Sequence, residues 1–108
     1  MNESKMLKVL GEPMRFKIFS CLLERKHCVR SLSKKLGISE SAISQHLKVM
    51  KEADLVYREK FGYHTHFLPK QESLDALVDL FSTWQAKSAA LDRDMSICQC
   101  EFKKEAEE

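Results

Sequence analysis

Residues 32–56, LSKKLGISESAISQHLKVMKEADLV, decide the fold of this chain, because they predict two short helices separated by a tight turn. The first helix is marked by apolar residues spaced i, i+3 and i+7, namely Val29, Leu32 and Leu36. Gly37 is suited to end that helix, since glycine adopts the left-handed conformation that often closes one. Ser39 stands where an N-cap would begin the second helix.

The second of these helices has two contrasting faces. Its apolar residues are spaced i, i+4 and i+7 and are expected to face a core: Ile43, Leu47 and Met50. The opposite face carries short hydrogen-bonding groups and one cation: Ser41, Ser44, Gln45 and Lys48. Hydroxyls and an amide can bond base edges and phosphates, and a lysine can contact the DNA backbone. We therefore expect this helix to enter the major groove of DNA, the alternative being a solvated helix in an ordinary bundle.

The next segment predicts a β-hairpin. Residues 56–60 and 63–68 alternate between apolar and polar side chains, and Phe61-Gly62 supplies the turn. The outward positions are predicted to carry the hairpin's cationic and titratable groups: Arg58, Lys60, His64 and His66. A hairpin beside a helix-turn-helix can contact the phosphates next to the groove.

These motifs resemble the ArsR/SmtB family of winged-helix repressors. The resemblance rests on LKVLGEPMR at residues 7–15, on the helix-turn-helix with SQHL at residues 44–47, and on the hairpin, or wing. It runs from about Met6 to Trp84 and implies a dimeric winged helix-turn-helix, a mainly α fold with a small β-hairpin (α+β). It also implies a homodimeric transcriptional repressor of operator DNA, often released by a metal or metalloid ion. The residues expected to contact DNA are Ser39, Ser41, Ser44, Gln45, His46, Lys48, Arg58 and Lys60.

The charge of the chain is distributed unevenly along its length. Residues 1–70 hold 14 Lys and Arg against 7 Asp and Glu, a net charge of +7, whereas residues 71–108 hold 4 against 9, a net charge of −5. A basic body suits a protein that presents its first two-thirds to phosphate. We predict one DNA-binding and dimerisation domain over residues 1–92 and an acidic, cysteine-containing tail over 93–108.

Composition also bears on location and on chemistry. No apolar run reaches the ~18 residues that a membrane helix needs, and the N-terminus lacks the apolar core of a signal peptide, so we expect a cytoplasmic protein with no membrane partner. The chain has no glycine-rich phosphate loop, no nucleophile-elbow pattern and no carboxylate pair in a plausible cleft. An enzyme is therefore not expected.

Helices are also predicted on both sides of the DNA-binding segment. Met6, Leu7 and Leu10 mark a first helix, and Pro13 suits the first turn of a second helix whose core stripe is Ile18, Phe19, Leu22 and Leu23. Ser73 is expected to cap a long last helix, ending near Ala90, with a broad apolar stripe: Leu74, Leu77, Val78, Leu80, Phe81 and Trp84. We interpret that stripe as a dimer interface, which in the family is built by the first and last helices. The alternative is that Leu80 and Trp84 complete the core of a monomer.

The four cysteines differ in their surroundings. Cys21 lies in the second helix's core stripe and is interpreted as a small buried hydrophobe. Cys28 is predicted at the N-terminus of the helix before the recognition helix, where the positive end of the helix dipole favours a thiolate. Arsenic-responsive family members carry Cys-Val-Cys at this place. The sequence here is Cys28-Val29-Arg30, which keeps the first ligand and loses the second.

Cys98 and Cys100 form a Cys-x-Cys pair in the tail and are candidate ligands together with Cys28. Thiolates without histidine or carboxylate partners select soft ions, so As(III) is the favoured inducer, with Sb(III), Cd(II), Pb(II) or Cu(I) as other candidates. Family zinc sensors use Asp and His on the last helix, and this helix offers Asp75 and Asp79 but no histidine.

Several alternatives stay open at this stage. The ion site could be formed by all three of these thiols or by the tail pair alone, and Cys28 could come from either subunit. The same fold could instead be a redox-responsive repressor that works through thiol oxidation. It could also be a repressor with no small-molecule inducer, or carry a tail whose cysteines have no function.

Overall fold

A computed structural model describes residues 1–96 and has five helices and one two-stranded sheet in that range. In chain order the elements are α1 (Glu3–Leu10), α2 (Pro13–Glu24), α3 (Val29–Leu36), α4 (Glu40–Glu52), β1 (Val56–Phe61), β2 (His64–Pro69) and α5 (Gln71–Ala90). The strands pair antiparallel. This is the predicted α+β winged helix-turn-helix, with α3 and α4 as its helix pair and β1–β2 as its wing.

The core lies between the four helices α1 to α4, the wing and Leu77 of α5. The predicted apolar stripe of α4 is fully enclosed, since Ile43, Leu47 and Met50 are at most 1% exposed. Cys21 is also buried, as expected. Leu23 was expected in the core but is 54% exposed, because the buried face of α2 is centred on Ile18 and Leu22 and extends toward Cys21, which leaves Leu23 beyond its edge.

The turn between α3 and α4 has the predicted chemistry. Gly37 ends α3 with a φ of 72°, in the left-handed region that glycine adopts without a steric cost, and its amide donates to the Ser33 carbonyl over 2.9 Å. Ser39 caps α4, its Oγ accepting a hydrogen bond from the Ala42 amide over 3.1 Å. Because both ends are closed, the relative direction of α3 and α4 is set locally.

The start of α5 is tied to the end of α4. Ser73 was predicted to cap α5, but the N-cap is Lys70, and Ser73 lies buried inside the first turn. The Ser73 hydroxyl donates instead to the main-chain carbonyl of Asp54, and Lys70 Nζ contacts Asp54 Oδ1 at 3.2 Å. Asp54 itself has a φ of 63° in the turn after α4. The Ser73 hydroxyl, which was predicted to cap α5, therefore forms a long-range hydrogen bond to this turn instead.

The register of the wing corrects one prediction. The turn is Gly62-Tyr63, one residue later than expected, and it places Arg58 opposite Phe67 and Lys60 opposite Thr65. Directly paired residues of an antiparallel sheet share a face. Arg58 and Lys60 therefore lie on the same wing face as the buried Phe67. His64 and His66 lie on the opposite face, so the prediction that all four side chains share one outward surface is wrong. The other face carries Tyr57, Glu59, Phe61, His64, His66 and Leu68.

The outer part of α5 has little cover. Leu77 is 5% exposed, but Val78, Phe81 and Trp84 are 60%, 45% and 53% exposed. The Phe81 and Trp84 rings contact each other edge to face, with centroids 5.7 Å apart. Within the described residues no helix is both long and apolar enough to cross a lipid bilayer. The exposed side chains of Val78, Phe81 and Trp84 thus form an apolar face on α5.

Candidate nucleic-acid interface

The outward side of α4 carries the polar residues that the sequence predicted. Ser41, Ser44, Gln45 and Lys48 are all exposed, and we call these four side chains the reading face. They point outward because the apolar residues on the opposite side of the helix are enclosed in the core. Ser39 adds an exposed hydroxyl at the start of the helix, 3.4 Å from the hydroxyl of Ser41. The arrangement presents hydroxyls, an amide and an ammonium on one helix face.

His46 does not belong to the reading face. It is half-buried, and its Nδ1 lies 3.4 Å from Arg15 Nη1 on α2. The Arg15 Nε in turn donates to the carbonyl oxygen of Val9 over 2.7 Å. Because arginine can only donate, this contact requires Nδ1 of His46 to accept. The ring of His46 thus bonds the α1–α2 junction, and a DNA contact from His46 stays a prediction.

The same junction includes Glu12, which caps α2. Its Oε1 accepts from the Arg15 amide over 2.8 Å, and that hydrogen bond is the main reason that the pKa of the Glu12 carboxyl is lowered. Burial opposes this effect and is the second-largest influence, while smaller electrostatic effects of the neighbouring His46 and Arg15 lower the pKa of Glu12 further. Glu12 thus supplies a carboxylate beside the guanidinium of Arg15.

A cleft of about 410 Å³ separates the reading face from the wing. Its floor is apolar and its rim carries three cations, Lys48, Lys51 and Arg58. Lys60 lies next to this rim, in a depression that it shares with Arg58 and Thr65. Sequence analysis predicted Lys48, Arg58 and Lys60 as DNA contacts. It missed Lys51, although the three-residue spacing from Lys48 on one helix was a signal that could have identified it.

These cations have no anionic partner in the part of the chain that the structure describes. The two salt bridges found among residues 1–96 join Lys35 to Glu24 and Lys70 to Asp54, both outside the cleft. No carboxylate within the described range lines the cleft either. A row of unpaired cations beside a polar helix face can bind the phosphates of nucleic acid.

Two histidines lie where the wing meets the start of α3. His27 is 1% exposed, its Nδ1 lies 2.5 Å from the Ser31 hydroxyl, and its carbonyl accepts from the Phe67 amide over 2.9 Å. Burial lowers the pKa of His27, and the nearby charges of Arg25 and Lys35 lower it further. His66 is half-buried on the outer wing face, with its ring 5.0 Å from that of Phe61. His27 thus attaches the wing to the helix pair.

Cys28 is the one predicted metal ligand that falls within the described residues. It is the N-cap of α3, as expected, and its half-buried side chain makes no capping hydrogen bond. The predicted partners Cys98 and Cys100 lie outside the described residues. Among residues 1–96, no cluster of three or more His, Cys, Asp or Glu is placed to hold a metal ion. Cys28 can therefore contribute one thiol, and a complete soft-ion site needs ligands from elsewhere.

Comparison with known proteins agrees with this geometry. Residues 12–58 match the model of the family described as "Bacterial regulatory protein, arsR family". A 58-residue segment is 36% identical to the HTH-type transcriptional repressor SmtB of Mycobacterium tuberculosis, covering 54% of this chain and 43% of that protein. The chain therefore spans less than half of that relative's length.

Two further similarities cover more of the molecule. The transcriptional activator HlyU of Vibrio cholerae is 29% identical over 75 residues, 69% of each chain. A crystal structure of a possible transcriptional regulator for arsenical resistance superposes with a TM-score of 0.66 and 30% identity, covering 82% of this chain and 98% of the other. The family match, the relatives and the shared winged helix-turn-helix together show that this chain belongs to the ArsR family of bacterial regulatory proteins.

Proposed function

We propose that the chain is a homodimeric transcriptional repressor whose two reading faces bind adjacent half-sites of operator DNA. The observation that carries this proposal is the exposed polar side of α4 set beside the unpaired cations of Lys48, Lys51, Arg58 and Lys60. The helix offers groups for base edges, and the cations offer charge for phosphates. We propose repression because the SmtB relative is named a repressor. The HlyU relative, in contrast, is named an activator.

The dimer is the second part of this proposal. Val78, Phe81 and Trp84 expose apolar surface on one helix, and a second copy would remove it from water. Two reading faces related by a two-fold axis would bind an imperfect palindrome. Its half-sites would lie about one turn of the DNA helix apart, or a small multiple of one turn. Exposed apolar surface on α5 and exposed polar surface on α4 thus have separate roles.

The experiment is selection of binding sites from a random duplex library with the full-length chain. We expect an imperfect palindrome, bound by two chains, with an affinity that falls steeply as salt rises. Enrichment of no sequence, or of a single unrepeated half-site bound by one chain, would contradict the proposal. The selected duplex then serves as the operator in the tests below.

We further propose that a thiophilic ion, with As(III) favoured over Sb(III), Cd(II) or Pb(II), releases the protein from DNA. The ligands would be Cys98 and Cys100 together with Cys28. Support comes from the free side chain of Cys28 at the head of α3, the helix that packs against α4. The hydrogen bond from Ser73 to Asp54 offers a second mechanical path, because it joins α5, which leads into the tail, to the end of α4.

The test compares ion-driven release from the operator in three variants. Release should fail in Cys98→Ser/Cys100→Ser, weaken in Cys28→Ser and persist in Cys21→Ser, whose thiol is buried in the core. A coupling of about 1–3 kcal/mol between ion and DNA is the usual size of such an effect. Undiminished release by the double variant would refute the tail site. Release by an oxidant in place of the ions would identify a redox-responsive repressor.

A further inference from the structure

The cleft between α4 and the wing combines cations, which phosphate binding requires, with an apolar floor, which phosphate binding does not require. Its rim holds three unpaired cations, and its floor is formed by apolar side chains from three different elements: Val29 of α3, Leu47 of α4 and Phe67 of β2. Ser44 and Thr65 add hydroxyls. A volume of about 410 Å³ falls within the range of roughly 300–1,000 Å³ typical of small-molecule sites, which are mostly apolar with a few convergent polar groups.

We propose that this cleft binds a small amphiphilic anion, a molecule with one anionic head and an apolar body, and that such a ligand competes with DNA. The head would lie among Lys48, Lys51 and Arg58, and the body would lie against Val29 and Phe67. Among residues 1–96 no carboxylate lines the cleft, which favours an anion over a cation or a zwitterion. The apolar floor favours an amphiphile over inorganic phosphate, which has no apolar body to bury.

Competition follows from shared residues. This step rests on the proposed function, because Lys48 and Arg58 are also proposed DNA contacts. An anion bound between them would neutralise charges that the DNA phosphates need, and its body would occupy the gap that separates the wing from the reading face. The ligand would therefore act at the DNA interface itself, independently of the cysteines.

The probe for this site is decanoate, with decanol and inorganic phosphate as comparisons. Calorimetric titration of the DNA-free protein should show one decanoate bound per chain and much weaker binding of decanol and of phosphate. Lys51→Ala should weaken decanoate binding about fivefold, the size of one lost, partly exposed charge interaction. Lys17→Ala removes the same charge from an exposed position on α2, outside the cleft, and should leave decanoate affinity unchanged.

Separate outcomes test the site and its consequence. Absence of decanoate binding, or equal binding by the Lys51→Ala protein, would overturn the site and leave the proposed function intact. Binding of phosphate as tight as that of decanoate would reduce the cleft to a phosphate contact and also overturn the proposal. If decanoate binds but does not raise the apparent Kd for the selected operator, the competition is wrong. Failure to bind any operator would refute the proposed function without affecting the decanoate result.

Discussion

Helices α4 and α5 are both amphipathic, but α4 exposes polar side chains whereas α5 exposes apolar ones. On α4 the apolar residues Ile43 and Leu47 are at most 1% exposed, and polar side chains face outward. On α5 only Leu77 and Ser73 are buried, while Phe81 and Trp84 stay about half exposed. One chain therefore completes the packing of α4 but not that of α5.

This difference separates two kinds of interaction. A polar face can exchange water for DNA phosphates and base edges reversibly, and it stays soluble when DNA is absent. An exposed apolar face is best covered permanently, because its burial contributes roughly 25 cal/mol per Å². We therefore infer that α5 binds a second copy of the chain and that α4 binds DNA.

The largest expected effect comes from placing a charge on the α5 face. Phe81→Glu should convert the dimer to a monomer, because an unpaired carboxylate would be buried in the interface. Operator affinity should then fall by more than about 100-fold, as a monomer loses the second half-site and its avidity. Sedimentation and operator titration measure the two effects.

Leu23→Glu is the matched control for this substitution. Leu23 is 54% exposed on α2, against 45% for Phe81, so the two changes differ mainly in position. We expect the Leu23→Glu protein to stay dimeric and to bind the operator normally. A dimeric Phe81→Glu protein would show that the α5 face is not the interface.

A smaller expected effect is the pH dependence of stability that comes from His27. It tests whether the junction between the wing and the helix pair folds within one chain, without the partner. Since the pKa of buried His27 is lowered below its ordinary value near 6.5, the folded protein binds fewer protons than the unfolded chain. The stability that neutral His27 contributes is full above that unfolded pKa and is lost as the pH falls from there toward the lower folded pKa. One such proton changes the unfolding free energy by at most about 1.4 kcal/mol per pH unit.

Urea unfolding at pH 7.5 and 5.5, with a chelator present, measures this loss. The unsubstituted protein should lose more stability between these pH values than His27→Gln, and monomeric Phe81→Glu should lose as much as the unsubstituted protein. An equal pH dependence in the His27→Gln protein would mean that His27 does not stay neutral at the wing junction.

The smallest expected effect distinguishes the two faces of the wing. Lys60→Ala should weaken binding to operator and to random DNA alike, by about 1 kcal/mol or less, and should reduce the salt slope by about one. His64→Ala, on the opposite wing face, should change neither. A larger loss from His64→Ala than from Lys60→Ala would mean that the outer face approaches DNA.

Sequence analysis predicted the helix pair well because the features that define it are local. The apolar spacing through Ile43 and Met50, the left-handed glycine at 37 and the capping serine at 39 each act within a few residues. Cys28 could be placed at the start of α3 for the same reason. The four exposed side chains of the reading face then followed from helical periodicity.

Most of what the sequence did not predict concerns contacts between distant segments. The hydroxyl of Ser73 bonds the carbonyl of Asp54, 19 residues earlier, and no local pattern shows this. His46 could be placed only once α2 brought Arg15 beside it. The wing faces depend on a register that alternation alone leaves undetermined, because a shift of one residue exchanges the faces.

The most direct test of the central claim is the ratio of operator affinity to random-DNA affinity in Gln45→Ala, measured at one salt concentration. Gln45 is exposed on the reading face, and its amide is suited to bond an adenine edge. We predict a loss of roughly 1–3 kcal/mol on the operator and little change on random DNA, so that the ratio falls. An unchanged ratio, with both affinities intact or both reduced alike, would contradict the assignment of α4 as the helix that reads the sequence.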